Sequence, residues 1–351
     1  MGVGDGQVLG TTKIVDHGQP ELRFNLVIMS DGYRLNEIAQ FEVDARRFVD
    51  HLFALRPFDE LQCAFNVYRV NVASTDSGAD DPVACGGTGA VPATYFDASF
   101  CHGGIRRLLQ VNRQAARDVA GVQVPQWHQV LVIVNSPVWG GSGGSIGVTS
   151  TAAGWEDIAV HEMGHAVFGL ADEYECWAGC GIDTDRDHYS GGEPAECNVT
   201  TDGNRATNKW RDLVAASTPM PTSANADCTV CDPQPAPVAA GTVGAFEGAR
   251  YFHCGAYRPE FDCMMRNLAP FCAVCRRQIS QKLSPYLSSC YAPVFEASSG
   301  FACLFIIIAC ALAIAILSLL AWIPGVPCLI RKLVFRIHNC CKGNRDRCVA
   351  L

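Results

Sequence analysis

The sequence predicts a mixed α/β (α+β) fold, and three observations lead there. Short apolar runs alternate with amphipathic helical stretches up to about residue 170, a Cys-, Gly- and Pro-rich segment follows, and an uncharged apolar run comes near the end of the 351-residue chain. Strands alternating with helices indicate a mixed sheet covered by helices. The segment after residue 175, where periodicity fades, is expected to be held by disulfides or metal more than by a broad core. The expected organisation is an upper α/β subdomain over residues 1–165 and a Cys-rich lower subdomain over 166–300. A transmembrane helix at 301–323 and a short basic tail at 324–351 complete it.

FNLVIMS, residues 24–30, is a short β-branched run closed by the turn signal DGY and reads as a buried strand. Over residues 37–53 Ile38, Phe41, Val43, Phe48, Val49 and Leu52 recur at helical spacing, and PFDEL ends the pattern. FNVYRVNV at 65–72 alternates as a strand. The Gly/Asp-rich loop that follows is a place for a Cys85–Cys101 clip, and residues 104–120 read as a second helix. QVLVIVNS at 129–136 is a third buried strand, and GGSGGSIGVTS reads as a flexible turn leading to an edge strand.

The chemistry lies in HEMGHAVFGLADEYE, residues 161–175. On a helix, positions four apart share a face, so His161 and His165 can aim ring nitrogens at one ion. Glu162 stands one position round, beside the metal without binding it, where it can take a proton from an activated water and pass it to a leaving amine. A catalytic zinc needs a third protein ligand. The metzincin pattern H-E-x-x-H-x-x-G-x-x-H would place glycine and the last ligand where Phe168 and Ala171 stand. With the glycine displaced by one residue, to Gly169, the same step reaches Asp172, whose carboxylate is an acceptable zinc ligand. Glu173 is the rival in this loop. A gluzincin arrangement would take Glu193 or Glu196 instead, from a loop-like segment. Cys228 and Cys231, with Cys272 and Cys275, form two C-x-x-C pairs that are candidates for a structural four-cysteine zinc site or for disulfides.

Residues 301–323 carry no formal charge and are long enough, at ~1.5 Å per residue, to cross ~30 Å of hydrocarbon. Beyond them stand Arg331, Lys332, Arg336, Lys342, Arg345 and Arg347 against Asp346 alone, while residues 285–300 carry only Glu296. The positive-inside rule therefore predicts a single-pass type I membrane protein with an extracellular catalytic domain. Thirteen of the nineteen cysteines precede residue 300, and Asn198 with Thr200 is an N-glycosylation acceptor, both in keeping with an oxidising compartment. Against export, MGVGDGQVLG shows no apolar leader. An incomplete start reconciles the two; the competing reading is a tail-anchored cytosolic protein. Cys328, Cys340 and Cys341 are palmitoylation candidates or free thiols. With 27 Lys+Arg against 35 Asp+Glu, and a basic tail, the remainder is acidic enough to exclude nucleic acid as a partner.

The chain is similar to the IgA-peptidase-like metallopeptidases, a metzincin family. The resemblance runs over about residues 10–290 through RFNLVIMSDGY, FNVYRVNV, SGADDP, QVLVIVNS, GGSGG, HEMGHAVFGLADEY, NVT, NKW, YRPEFDCMMR and FCAVC, in that order. It implies a metzincin-like zinc peptidase acting on protein or peptide substrates, with an upper and a lower subdomain. It also implies a Met-turn beneath the zinc, at Met265 with Met264 beside it. The extra cysteines and the predicted membrane anchor depart from the family, and specificity for IgA is not implied. The reading from a different class is a catalytically silent membrane-anchored adhesion or binding ectodomain; intact His161, Glu162 and His165 speak against it.

Overall fold

Phe24–Asp31 is buried at every position and forms β2, near the middle of a six-stranded sheet in a computed structural model that describes residues 2–177, 180, 185–232 and 234–287. In chain order the elements are β1 (Gly6–Val15), β2, α1 (Ile38–Ala54), α2 (Phe58–Leu61), β3 (Phe65–Ser74), α3 (Arg113–Gln123), β4 (Gln129–Val134), β5 (Gly141–Ser142), β6 (Ile146–Ser150) and α4 (Trp155–Ala166). The sheet order is β1-β3-β2-β4-β6-β5. The four inner strands pair in parallel, and both edge strands are antiparallel to their neighbours.

Parallel strands covered on both faces must be apolar on both faces, which is why β2 and β4 read as continuous hydrophobic runs. Successive side chains leave a strand on opposite sides. Leu26, Ile28, Val67, Leu131 and Ile133 accordingly enter one core, with α1, α4 and a later helix. Val27, Met29, Val70, Val72, Val130 and Val132 enter the other, with α3. In α1 the buried positions Ile38, Phe41, Ala45, Phe48, Val49 and Leu52 follow the 3.6-residue period. Val43, expected among them, falls off that stripe and is 58% exposed.

Two elements differ from expectation. The helix expected over residues 104–120 begins only at Arg113, because the Asn112 side chain accepts the Ala115 N–H at 3.1 Å and caps it there. The residues before the cap instead bridge Gln110 to Ser99 and Leu108 to Gly141, covering the short β5. GGSGG is not a flexible turn alone, since it contributes β5, and the strand after it, β6, is an inner one. Strand β1 lies outside the expected elements. Its alternating exposure belongs to an edge strand with one wet face, a pattern that the polar Thr11, Thr12 and Lys13 obscure.

After α4 come the hairpin β7 (Phe246–Ala249) and β8 (Phe252–Arg258), then α5 (Met264–Asn267) and α6 (Ala273–Leu283). The irregular chain around the hairpin is tied by Cys180–Cys231 and Cys228–Cys254, and the expected Cys85–Cys101 clip is present. Cys228 and Cys231 therefore do not meet Cys272 and Cys275 in one site. Their sulfurs are taken by partners that the C-x-x-C spacing does not reveal.

The expected placement as a type I membrane protein is overturned: among the described residues, no helix is long and apolar enough to cross a membrane. The run at 301–323 on which that expectation rested, the tail and its cysteines lie outside the described residues.

The α1 face gives a direct check of this packing. Phe48→Ala, at a fully buried position, should cost about 3–5 kcal/mol of unfolding free energy, whereas Val43→Ala should stay within ~0.5 kcal/mol, both read by urea denaturation.

Candidate metal centre

α4 follows β6 and lays Trp155, Ala159, Val160 and Met163 into the core. Its histidines stay on the opposite side, at the floor of a cavity of about 590 Å³. The helix ends in a left-handed cap: Gly169 takes φ 63°, its N–H donates to His165 O at 3.3 Å, and the Leu170 N–H returns to Gly164 O at 3.0 Å. Beyond the reversal the chain is threaded between two other segments. Asp172 O accepts from Arg250 N at 3.2 Å, Glu173 N donates to Met265 O at 2.7 Å, and Tyr174 O accepts from Tyr251 N at 2.9 Å.

This path brings three donor atoms together. Asp172 Oδ1 lies 3.0 Å from His161 Nε2 and 3.1 Å from His165 Nε2, and the two ring nitrogens are 3.1 Å apart. Each ring's other nitrogen faces a backbone carbonyl: His161 Nδ1 lies 2.9 Å from Met264 O and His165 Nδ1 2.7 Å from Leu170 O. A carbonyl only accepts, so both Nδ1 atoms carry the hydrogen, and in a neutral ring Nε2 presents its lone pair. Two lone pairs and a carboxylate oxygen at such distances need a positive charge between them.

Without metal, that demand falls on protons. Burial acts to lower both histidines, yet the hydrogen bond and charge of Asp172 outweigh it, raising His161 and taking His165 up to about 9. Burial would likewise raise Asp172, but the two histidines hold it well below the usual carboxylate range. A divalent ion at ~2.0–2.2 Å from two imidazoles and a carboxylate satisfies the same demand, so the residues fit a metal.

The surroundings fix these groups. Tyr251 O–H donates to Asp172 Oδ2, and the Tyr174 ring stacks on His161 with centroids 6.5 Å apart. Met265, fully buried, packs beneath α4 so closely that a Cβ at Gly164 would lie 2.5 Å from its sulfur. Glu162 sits on the cavity floor, its pKa raised by burial against the opposing charges of the histidines. A Cβ at Gly143 would come within 2.7 Å of Glu162 Oε2. Arg107, Trp139, Tyr174 and Leu268 belong to the cavity wall.

Glu173 is not among the histidines. Its fully buried carboxylate turns the other way and accepts from Asn198 Nδ2 at 2.8 Å. Glu193 is engaged by Thr200, Thr201 and Lys209, and Glu196 by Arg250 at 2.6 Å. The glycosylation expected at Asn198 is corrected: its side chain is fully buried, accepting from Ala171 N at 2.9 Å and donating to Ala171 O at 2.8 Å. ECNVT is thus a clamp on the loop that carries Asp172. Sequence reasoning missed Arg107 and Tyr251, distant in the chain, and Gly143, whose glycine-rich surroundings read as mere flexibility.

The IgA peptidase M64 family model matches residues 12–230 and 235–283. The chain belongs to the IgA peptidase M64 family. It is by that membership a metallopeptidase, acting on protein or peptide substrates with a metal ion. A search of curated proteins returned no match. Within an M64 peptidase the contacts above carry two expectations. Gly143→Ala should displace the Glu162 carboxylate and lower kcat on the order of 10²-fold, with metal content by mass spectrometry unchanged. Tyr251→Phe, which frees one oxygen of Asp172, should weaken metal binding by ~10–100-fold in a competitive chelator titration.

Proposed function

We propose that this chain is a zinc-dependent endopeptidase of metzincin type, in which His161, His165 and Asp172 hold the ion and Glu162 is the general base. The observation that carries the reading is the convergence of two lone-pair nitrogens and one carboxylate oxygen within 3.1 Å, with both other ring nitrogens committed to carbonyls. The mixed nitrogen and oxygen donor set suits zinc, which, when bound, supplies Lewis-acid polarisation and brings the acidity of water near neutrality.

The chain's own residues do the rest. Met264 O and Leu170 O orient the two imidazoles, and Tyr251 orients Asp172. Glu162 accepts a proton from the attacking water at a carboxylate oxygen and returns it to the nitrogen of the leaving amine, so the base of the first step is the acid of the second. Burial raises its pKa toward neutrality, which makes the carboxylate a stronger base for the first step and keeps the proton on it for return in the second. Ile105, Leu108 and Trp139 offer apolar surface for substrate side chains, and Arg107 brings a positive charge to the same wall. Met265 supports the floor, as the proposed Met-turn residue.

Glu162→Gln should keep the zinc and abolish turnover of any peptide the wild-type chain cleaves in a broad library, whereas Asp172→Ala should lose the ion along with activity. Retained cleavage by Glu162→Gln would remove Glu162 from the mechanism. Zinc retained unchanged by Asp172→Ala would remove that residue from the ligand set.

A further inference from the structure

Behind the Asp172 segment, on its other side, lies a second group of metal-ligating side chains that the proposed reaction does not use. Glu173, Cys263, Cys272 and Cys275 are all fully buried, and one ligand atom from each lies within 4.8 Å of the other three. Glu173 Oε1 is 3.3 Å from Cys275 Sγ and 3.9 Å from Cys272 Sγ, and Cys275 Sγ is 3.8 Å from Cys263 Sγ. None of the three cysteines is in a disulfide, and 3.8 Å is far beyond the ~2.05 Å of a sulfur–sulfur bond.

Those distances are the edges of a coordination tetrahedron. Sulfurs bound to zinc at ~2.3 Å stand about 3.8 Å apart, and a sulfur and an oxygen on the same ion about 3.5 Å. Two further observations point to a ligand. Glu173 Oε2 is buried without a hydrogen-bond partner among the described residues, an expensive state for a carboxylate in an apolar core. The sulfurs also accept backbone hydrogen bonds, as thiolates do: Cys272 N–H donates to Cys263 Sγ at 3.4 Å and Cys275 N–H to Cys272 Sγ at 3.3 Å. The second of these caps α6, whose N-terminal dipole favours negative charge on the Cys272-x-x-Cys275 pair.

We propose that Glu173, Cys263, Cys272 and Cys275 form a second, structural zinc site, separate from the histidine centre and closed to solvent. Four anionic ligands leave no open position, so the ion takes no part in hydrolysis. Its effect is mechanical. Glu173 adjoins Asp172, and Cys263 immediately precedes Met264, whose carbonyl orients His161, and Met265 beneath the helix. An ion here ties the loop carrying the proposed third ligand to the turn under the histidines and to the start of α6. Binding releases the thiol protons, so occupancy should fall in acid.

The test uses the full chain with cobalt(II) in place of the native metal, because cobalt on thiolates gives an intense near-ultraviolet charge-transfer absorption that histidine and carboxylate ligands do not. The wild-type chain should bind about two equivalents. A His161→Ala/His165→Ala double variant should keep about one equivalent and the whole thiolate band. Cys272→Ser/Cys275→Ser should lose that band. Since serine at a buried cysteine can itself prevent folding, the wild-type chain is also unfolded in chelator without reductant, alkylated and mapped by mass. Cys263, Cys272 and Cys275 should all be labelled as thiols. A disulfide joining any two of them, or a double-histidine variant that binds no cobalt through sulfur, would overturn the proposal. Failure of the peptidase reading would show separately, as a double-histidine variant with undiminished metal and activity.

Discussion

The reversal at Gly169 is the constraint on which the rest of the site depends. A helix can present two histidines on one face by itself, but it cannot supply a third donor to the same point, because the next residue on that face is already a turn away. The chain has to leave the helix and come back. Gly169 permits the left-handed step, and Asn198 then grips both backbone groups of Ala171, so the returning segment enters at one height and direction. From Asp172 to Tyr174 the segment alternates its backbone bonds between the β7–β8 hairpin and Met265, as a strand would. Neighbouring side chains in such a segment point opposite ways. That geometry, and no difference in chemistry between two carboxylates, sends Asp172 to the histidines and Glu173 to the cysteines.

The same economy holds across the turn at residues 263–265. Cys263 faces the buried cysteine group, Met264 offers its carbonyl to His161, and Met265 fills the space under Gly164. Each residue has a different task, and none can shift without moving the others, because protein interiors are close-packed and transmit small displacements. Methionine suits the position under the helix, being unbranched and able to follow the surface left by a residue with no side chain. Glycine at 164 is the counterpart of that choice, since α4 approaches closely only where it has no Cβ.

His161, Glu162 and His165 were legible because their relation is local: one helix period fixes it. Asp172 was legible as a candidate because the glycine marks the reversal, but its rivalry with Glu173 was not resolvable, since their directions depend on bonds to Arg250 and Met265 far along the chain. The inner strands of the sheet read clearly, as fully buried β-branched runs must. β1 did not, its polar face masking the apolar one, and the misplaced start of α3 came from reading apolar residues at 105–111 as helical when they cover β5. C-x-x-C spacing says that two sulfurs are close to each other and nothing about what lies opposite them. Cys228 and Cys231 went to two different disulfides, while Cys272 and Cys275 met Cys263 and Glu173. Asn198 matched a modification motif that burial forbids.

The hairpin turn shows how far the site shapes its supports. Two-residue turns that need positive φ at both central positions favour Asn-Gly, yet here Arg250 and Tyr251 take φ 56° and 71°. Each such residue costs on the order of 1–3 kcal/mol and persists only where its surroundings over-determine it. Here Tyr251 reaches Asp172, and Arg250 reaches Glu196 at 2.6 Å while its N–H donates to Asp172 O. Asparagine and glycine would relax the turn but could make neither side-chain contact. The side-chain bonds to Asp172 and Glu196 and the main-chain bond to Asp172 O together hold both residues in this conformation. A turn unfavourable by itself is thereby stable in this chain, and its strain marks the hairpin as a support of the Asp172 segment rather than a connection between two strands.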